Sequence, residues 1–523
     1  MRVKSLFGLS VTLGVYALFA AIHFEPAHGQ ILDRSPWPTK EWLTSTPEEQ
    51  GMDSSELATL VAFGASHGFD SLLVVRHGRI VTEATYAPYT PDIRHDIHSC
   101  TKAILGTLVG MIYKDGQLDR LDHPMLDFFA DRRIANVDDR KKAITVQNLL
   151  DMTSGLDWDE GFEGGKEQSF NDLKQSPDWS QFILDRPMAR RPGEVFYYDS
   201  GNSHLLSAIV TKLTGKPAEE YAKQKLFDPL GITTWHWDRD PQGISTGGWG
   251  LSLLPRDMAK IGYLYLHGGE WEGRQLLPPG WSDVLHHPTV NMHASNDPNQ
   301  RYSDLFWVFP GGRVFMANGW HGQNIAVFPD LDIVAVVTAH KYVSQFALIE
   351  GIYAAVKSEA ALPPAPKTTE FLADVIKAAS VEKRTDVSPT PEITPSISGK
   401  SYKFPDNDLK LSSLNLFLTK PHPHIEFEIY TGDPATPIAR YDEPIGLDGL
   451  YSMGSPLKSG PAAGYTTAMK GTWLNGQSFA IDLQILAFGE QRKYLLTFNG
   501  EKIHIRFEDG DGRVVSIDGK QAG

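Results

Sequence analysis

The chain has 523 residues, 41% of them apolar, and carries 49 lysines and arginines against 64 aspartates and glutamates, a formal charge of −15. At roughly 100–200 residues per domain, two to three domains with ordinary cores are expected. The acidic balance argues against a nucleic-acid or anionic-membrane partner, and a single cysteine, Cys100, excludes an intrachain disulfide framework.

The first residues read as a targeting segment. A basic "MRVK" precedes an apolar run, Leu6–Ile22, and then the small residues of "AHG" at Ala27–Gly29. This is the pattern of a cleaved secretory signal over residues 1–29; the alternative is an uncleaved anchor, for which the apolar run is at the short end. No cysteine lies near the cleavage region, so a lipidated N-terminus is not expected. The mature protein is expected to be exported, periplasmic or extracellular, without stable membrane insertion.

Further along, "SLLVVRHGRIVTEATY" (Ser71–Tyr86) predicts two strands joined by a His-Gly-Arg turn. Ser99–Lys114 predicts a helix ending at Asp115-Gly116. "TVQNLLDMTSGL" (Thr145–Leu156) predicts a short helix, followed by a loop rich in acidic residues and tryptophan. Ser200–Gly215 carries a helical apolar stripe closed by glycine, and another helix is expected from about Arg256. Arg313–His340 predicts three strands joined by turns. Strands framing a helical middle indicate an α/β (α+β) domain over residues 45–360, an antiparallel sheet flanked by helices with a helical insertion. Residues 361–397 read as a Pro-rich linker containing a helix. Residues 398–523 read as short strands with turn residues between them, an all-β accessory domain of barrel or sandwich type. There is no internal repeat.

Ser-x-x-Lys occurs three times: Ser99/Lys102, Ser380/Lys383 and Ser455/Lys458. Only Ser99 opens a helix apolar on nearly every side, which is the pattern of a buried helix. Residues three apart share a helix face, so Ser99 and Lys102 can touch. Burial and the positive end of the helix dipole both disfavour a charged lysine, leaving a neutral amine to act as base. The same helix end would stabilise an oxyanion. On this segment alone, the opposing reading stands equally: Ser99 as an N-cap and Lys102 reaching out to solvent.

Two more segments enter the comparison. "FYYDSGN" places Tyr198 before a helix, followed by Asp199-Ser200, and "NGWHGQN" places Trp320-His321-Gly322 between two strands. In order and spacing the set resembles the serine β-lactamase and penicillin-binding-protein superfamily, above all its class C-like branch of secreted serine hydrolases, esterases and 6-aminohexanoate-dimer (nylon-oligomer) hydrolases. "LLDMTSGLDWDEG" (Leu149–Gly161) and "GGWGLSLLPRDMAKIG" (Gly247–Gly262) support it. The resemblance covers residues 50–345 and implies a β-lactamase-like fold. It implies Ser99 as nucleophile, Lys102 as its base and Tyr198 as a proton shuttle, with the backbone amides of Ser99 and Gln323 as oxyanion hole. Ser200, Trp320, His321, Gly322, Trp158 and Trp249 would border the substrate. Two positions depart from the pattern. Ser200 replaces an asparagine, and Trp320 replaces the lysine that binds the β-lactam carboxylate. An indole has one N–H donor and no charge, which favours less charged ester or amide substrates.

Rival sites carry less. "GISTG" (Gly243–Gly247) matches Gly-x-Ser-x-Gly, but Ser245 lacks the strand before it and the helix after it that a nucleophile elbow requires. Cys100 points about 100° away from Ser99 around the helix and reads as a buried structural thiol. His422, His424 and Glu426 would align on one strand face; a zinc site there is weighed against an exposed polar face, which is preferred. Asp157, Asp159 and Glu160 sit in a loop that the resemblance places at the cleft rim, and read as solvated residues, against a role in binding a substrate amine. The expected protein is an exported serine hydrolase of small ester or amide substrates that uses no metal or organic cofactor. The alternatives are a β-lactamase, D,D-peptidase or D-aminopeptidase, and a catalytically silent binding or sensor protein. No sequence feature specifies an oligomeric state.

Overall fold

The computed structural model describes residues 37–161, 165–285, 290–291, 300–309, 313–419, 421–430, 434–458, 464–510 and 512–522. The expected signal segment lies outside them. Among the described residues no helix is long and apolar enough to cross a membrane.

The strands expected from Ser71 are β1 (Phe69–Arg76) and β2 (Arg79–Thr85). His77 and Gly78 between them are both left-handed, at φ 49° and 70°, the backbone that matches the twist of a two-residue hairpin. The three later strands are β3 (Phe315–Gly319), β4 (Gln323–Phe328) and β5 (Ile333–Ala339). The sheet runs in the order Leu43–Thr44, β2, β1, β5, β4, β3, Phe306–Val308, Arg301–Ser303, Val290–Asn291. All neighbours are antiparallel except the first pair.

Side chains alternate across this sheet. Val75, Ile325, Val327, Val334 and Val336 enter one core, where they meet α2 (Cys100–Lys114), α4 (Ser200–Thr214) and α5 (Pro255–Leu266). Val74, Ala326, Phe328, Ile333 and Ala335 enter the other, against α1 (Ser54–His67) and α6 (Gln345–Ala355). Covering both faces explains why these strands read as continuous apolar runs rather than alternating ones. The helix within the Pro-rich segment is α7 (Pro366–Ala379), and its Leu372 is buried in the second core.

Every residue of α2 from Cys100 to Ile112 is buried. The helix expected over Thr145–Leu156 is shorter, α3 (Val146–Leu150), opened by a Thr145–Asn148 capping box. It stops because the Leu150 carbonyl accepts the Leu305 N–H at 3.0 Å, and because Met152 turns left-handed at φ 56°.

The C-terminal residues form one ten-stranded antiparallel sheet from Lys400–Lys403 to Val514–Gln521. Its two edge regions meet: Gly446 bridges to Lys470, and the Thr467 hydroxyl donates to the Glu443 carboxylate. The result is a nearly closed barrel around Tyr402, Leu416, Phe479, Phe498 and Ile505. Two of its strands matter below, β6 (Ser478–Ile485) and β7 (Glu490–Asn499), joined by the turn Leu486–Gly489.

Candidate active site

Ser99 sits at the N-cap of α2 with helical backbone (φ −67°, ψ −8°), and its hydroxyl makes no capping bond. Ser99 is partly exposed. One turn on, Lys102 is 1% exposed. Its ammonium does not reach solvent, against the alternative set out above. Nζ donates to Ser99 Oγ at 3.1 Å and to the Gly248 carbonyl at 2.8 Å. Burial pulls the Lys102 pKa down from 10.5 to about 8, against the opposing pull of Glu160 and Asp199. A substantial fraction of the amine is therefore neutral near pH 8.

Tyr198 lies just before α4 and is buried. Its position is set by Asp199, whose carboxylate caps α4 by accepting from the Gly201 and Asn202 N–H groups at 2.7 and 3.2 Å. The Tyr198 hydroxyl hydrogen-bonds Ser99, and burial pushes its pKa up, keeping it a neutral phenol. Lys102 Nζ lies 4.7 Å from the Tyr198 ring centroid. Ser99, Lys102 and Tyr198 thus come together from three places: a helix start, its first turn, and the entry to another helix.

Glu160 is tied more closely to the site than the sequence suggests. The half-buried carboxylate accepts the Ser200 N–H at 2.6 Å, the Ser200 hydroxyl, and Trp158 Nε1 at 2.8 Å. It also raises the pKa of Lys102. The only signal for this in the sequence is that "DWDE" lies in a phrase supporting the resemblance. Removing the charge with Glu160→Gln should lower the Lys102 pKa further. Activity that depends on a neutral Lys102 rises with pH through about 8; in Glu160→Gln the rising limb of kcat/KM moves to lower pH, and an unmoved limb refutes the coupling. Asp159 instead anchors its own loop, accepting from the N–H groups of Gly161, Lys166, Glu167 and Gln168. Asp157 is exposed and faces Arg186.

Trp320–Gly322 is a single tight turn between β3 and β4. The Trp320 indole is 45% exposed and stands edge-on to His98, with ring centroids 5.2 Å apart. His321, which the resemblance sets at the substrate border, lies in this turn rather than in a strand. It is buried, left-handed at φ 59°, and its Nδ1 donates to the Gly489 carbonyl of the barrel. Gly322 is left-handed at φ 91°, and a Cβ there would lie 3.3 Å from Val343. Gln323 opens β4 and is joined to the start of α2 by Cys100 Sγ, which donates to the Gln323 carbonyl at 3.3 Å. Gly319 permits this approach, since a Cβ there would fall 2.4 Å from the Ile97 carbonyl oxygen. Trp249 follows Gly248 and packs against Phe170 and Trp179.

The rival residues lie elsewhere or are occupied. The Ser245 hydroxyl is fully buried and bonded to the Glu219 carboxylate. Cys100 is buried. His424 and Glu426 cluster with Asp442 rather than with His422, but Glu426 is already taken by Asn415 at 2.7 Å and by Arg440 at 2.9 Å.

The sequence profile of the beta-lactamase family matches residues 58–357. The chain belongs to the beta-lactamase family, and its enzymes are serine hydrolases. The chain is 26% identical to 6-aminohexanoate-dimer hydrolase of Paenarthrobacter ureafaciens over 287 residues, 51% of this chain and 71% of that protein. It is 25% identical to protein flp of Staphylococcus aureus over 171 residues, 31% of this chain and 33% of that protein. Among solved structures, a penicillin-binding protein homologue from Pyrococcus abyssi aligns at 16% identity with a TM-score of 0.43, covering 88% of this chain and 99% of that one.

Proposed function

We propose that this beta-lactamase-family enzyme is an exported hydrolase of small esters or amides that works through an acyl-serine intermediate at Ser99. The observation that carries the reading is the buried Lys102 amine, 3.1 Å from Ser99 Oγ, with Tyr198 bonded to the same serine. Lys102 removes the Ser99 proton as Oγ attacks the carbonyl carbon. The carbonyl oxygen gains negative charge facing the Ser99 and Gln323 amides. Collapse expels the alcohol or amine, which takes a proton through Tyr198. Water, deprotonated by the same machinery, then frees the acid and restores Ser99. Export rests on the signal-like residues 1–29.

The exposed indole of Trp320 favours uncharged acyl groups, which it can stack against. The relative named for 6-aminohexanoate-dimer hydrolysis supports an amide as one substrate class. Turnover of p-nitrophenyl butyrate and of nitrocefin distinguishes the readings. The ester should be turned over far faster; efficient nitrocefin hydrolysis with no ester turnover would reassign the enzyme as a β-lactamase.

A further inference from the structure

Two non-glycine residues near Ser99 have left-handed backbone: His98 at φ 46° and His321 at φ 59°. Such conformations persist only where the surroundings hold them. Both histidines are held by the same distant turn. His98 Nε2 donates to the Phe488 carbonyl at 3.0 Å, and His321 Nδ1 donates to the next carbonyl, Gly489. A carbonyl only accepts, so each of these ring nitrogens carries a proton. The carbonyl before them, Ala487, accepts the Asp96 N–H at 2.6 Å. Phe488 also sets its ring edge-on to His98, with centroids 5.8 Å apart.

The placement matters because His98 shares a peptide plane with the Ser99 N–H, and His321 lies two residues before the Gln323 N–H. We propose that the Leu486–Gly489 turn of the C-terminal barrel is a positioning element of the active site, holding His98 and His321 so that the two oxyanion amides converge. This inference rests on the reading of Ser99 and Gln323 given above. It assigns the barrel a part in catalysis: its β6–β7 turn fixes both sides of the hole, one from 390 residues along the chain and the other from 168. His98 and His321 act through the backbone they orient and are positioning residues, not catalytic ones.

The test compares variants of the full chain that keep or lose the N–H donor. Asparagine places its amide near Nδ1 and glutamine near Nε2, so His321→Asn and His98→Gln keep the donor, whereas His321→Leu and His98→Met lose it. With p-nitrophenyl butyrate, the donor-less variants should lose about 10- to 100-fold in kcat with KM nearly unchanged. Fluorophosphonate labelling of Ser99 should slow by the same factor, and the donor-keeping variants should recover most of both. Equal kcat in His321→Leu and His321→Asn, or a loss confined to KM, overturns the inference while leaving the hydrolase reading intact. If His321→Leu does not fold, the His98 pair decides by the same comparison. Wild-type protein that takes no label at Ser99 overturns the hydrolase reading and this inference with it.

Discussion

Lys102→Met is expected to slow acylation of Ser99 by about 10³-fold, with an unfolding temperature no lower than that of the wild type. Methionine has nearly the length of lysine and none of its proton chemistry, so the loss reports on the base. Tyr198 and the proposed oxyanion amides remain and should leave residual turnover. Stability changes in the opposite direction. A pKa of about 8 in place of 10.5 means that folding disfavours the ammonium. The unfolded chain therefore binds more protons between about pH 8 and 10.5, and stability rises with pH across that window. Below pH 8 the penalty is present in full, about 3 kcal/mol. Methionine removes it and leaves the Gly248 carbonyl without its donor, a loss of about 1 kcal/mol. The variant should keep only this residual turnover and be at least as stable as the wild type at pH 7. Full activity in Lys102→Met would show that another group is the base.

Tyr198→Phe should lower kcat by about 10²-fold with little change in folding. The ring stays packed, 5.9 Å from the Trp307 ring and over the Lys102 amine. Only the hydroxyl bonded to Ser99 is lost. With the phenol proposed to serve the leaving group, the deficit should be larger for an alkyl amide, whose amine must be protonated to depart, than for a p-nitrophenyl ester. Rates against a matched ester and amide check this, and equal deficits on the two would remove Tyr198 from the leaving-group step.

The framework was legible wherever local pattern and tertiary structure agree. The apolar runs from Phe315 to Ala339 and the all-round apolar face of α2 each state their own burial, so the sheet and its central helix follow directly. The Ser99–Lys102 contact follows from helix geometry. What escaped the reading depends on contacts between residues far apart in the chain. Glu160 resembles a solvated loop acid until Ser200, 40 residues later, is seen to donate to it twice. Nothing in "NGWHGQN" tells that the barrel turn covers His321. The early stop of α3 depends on Leu305, far along the chain, taking its carbonyl. None of these partnerships has a period or a local motif.

The proposed intermediate is an ester bond formed on Ser99. Intact-mass measurement of the protein mixed rapidly with a slowly deacylating ester, followed by peptide mapping, tests it directly. A single acyl adduct is expected on the peptide containing "HSCTK", with Ser99 as the modified residue and no adduct in Ser99→Ala. An adduct on Ser245, or one that persists undiminished in Ser99→Ala, would contradict it.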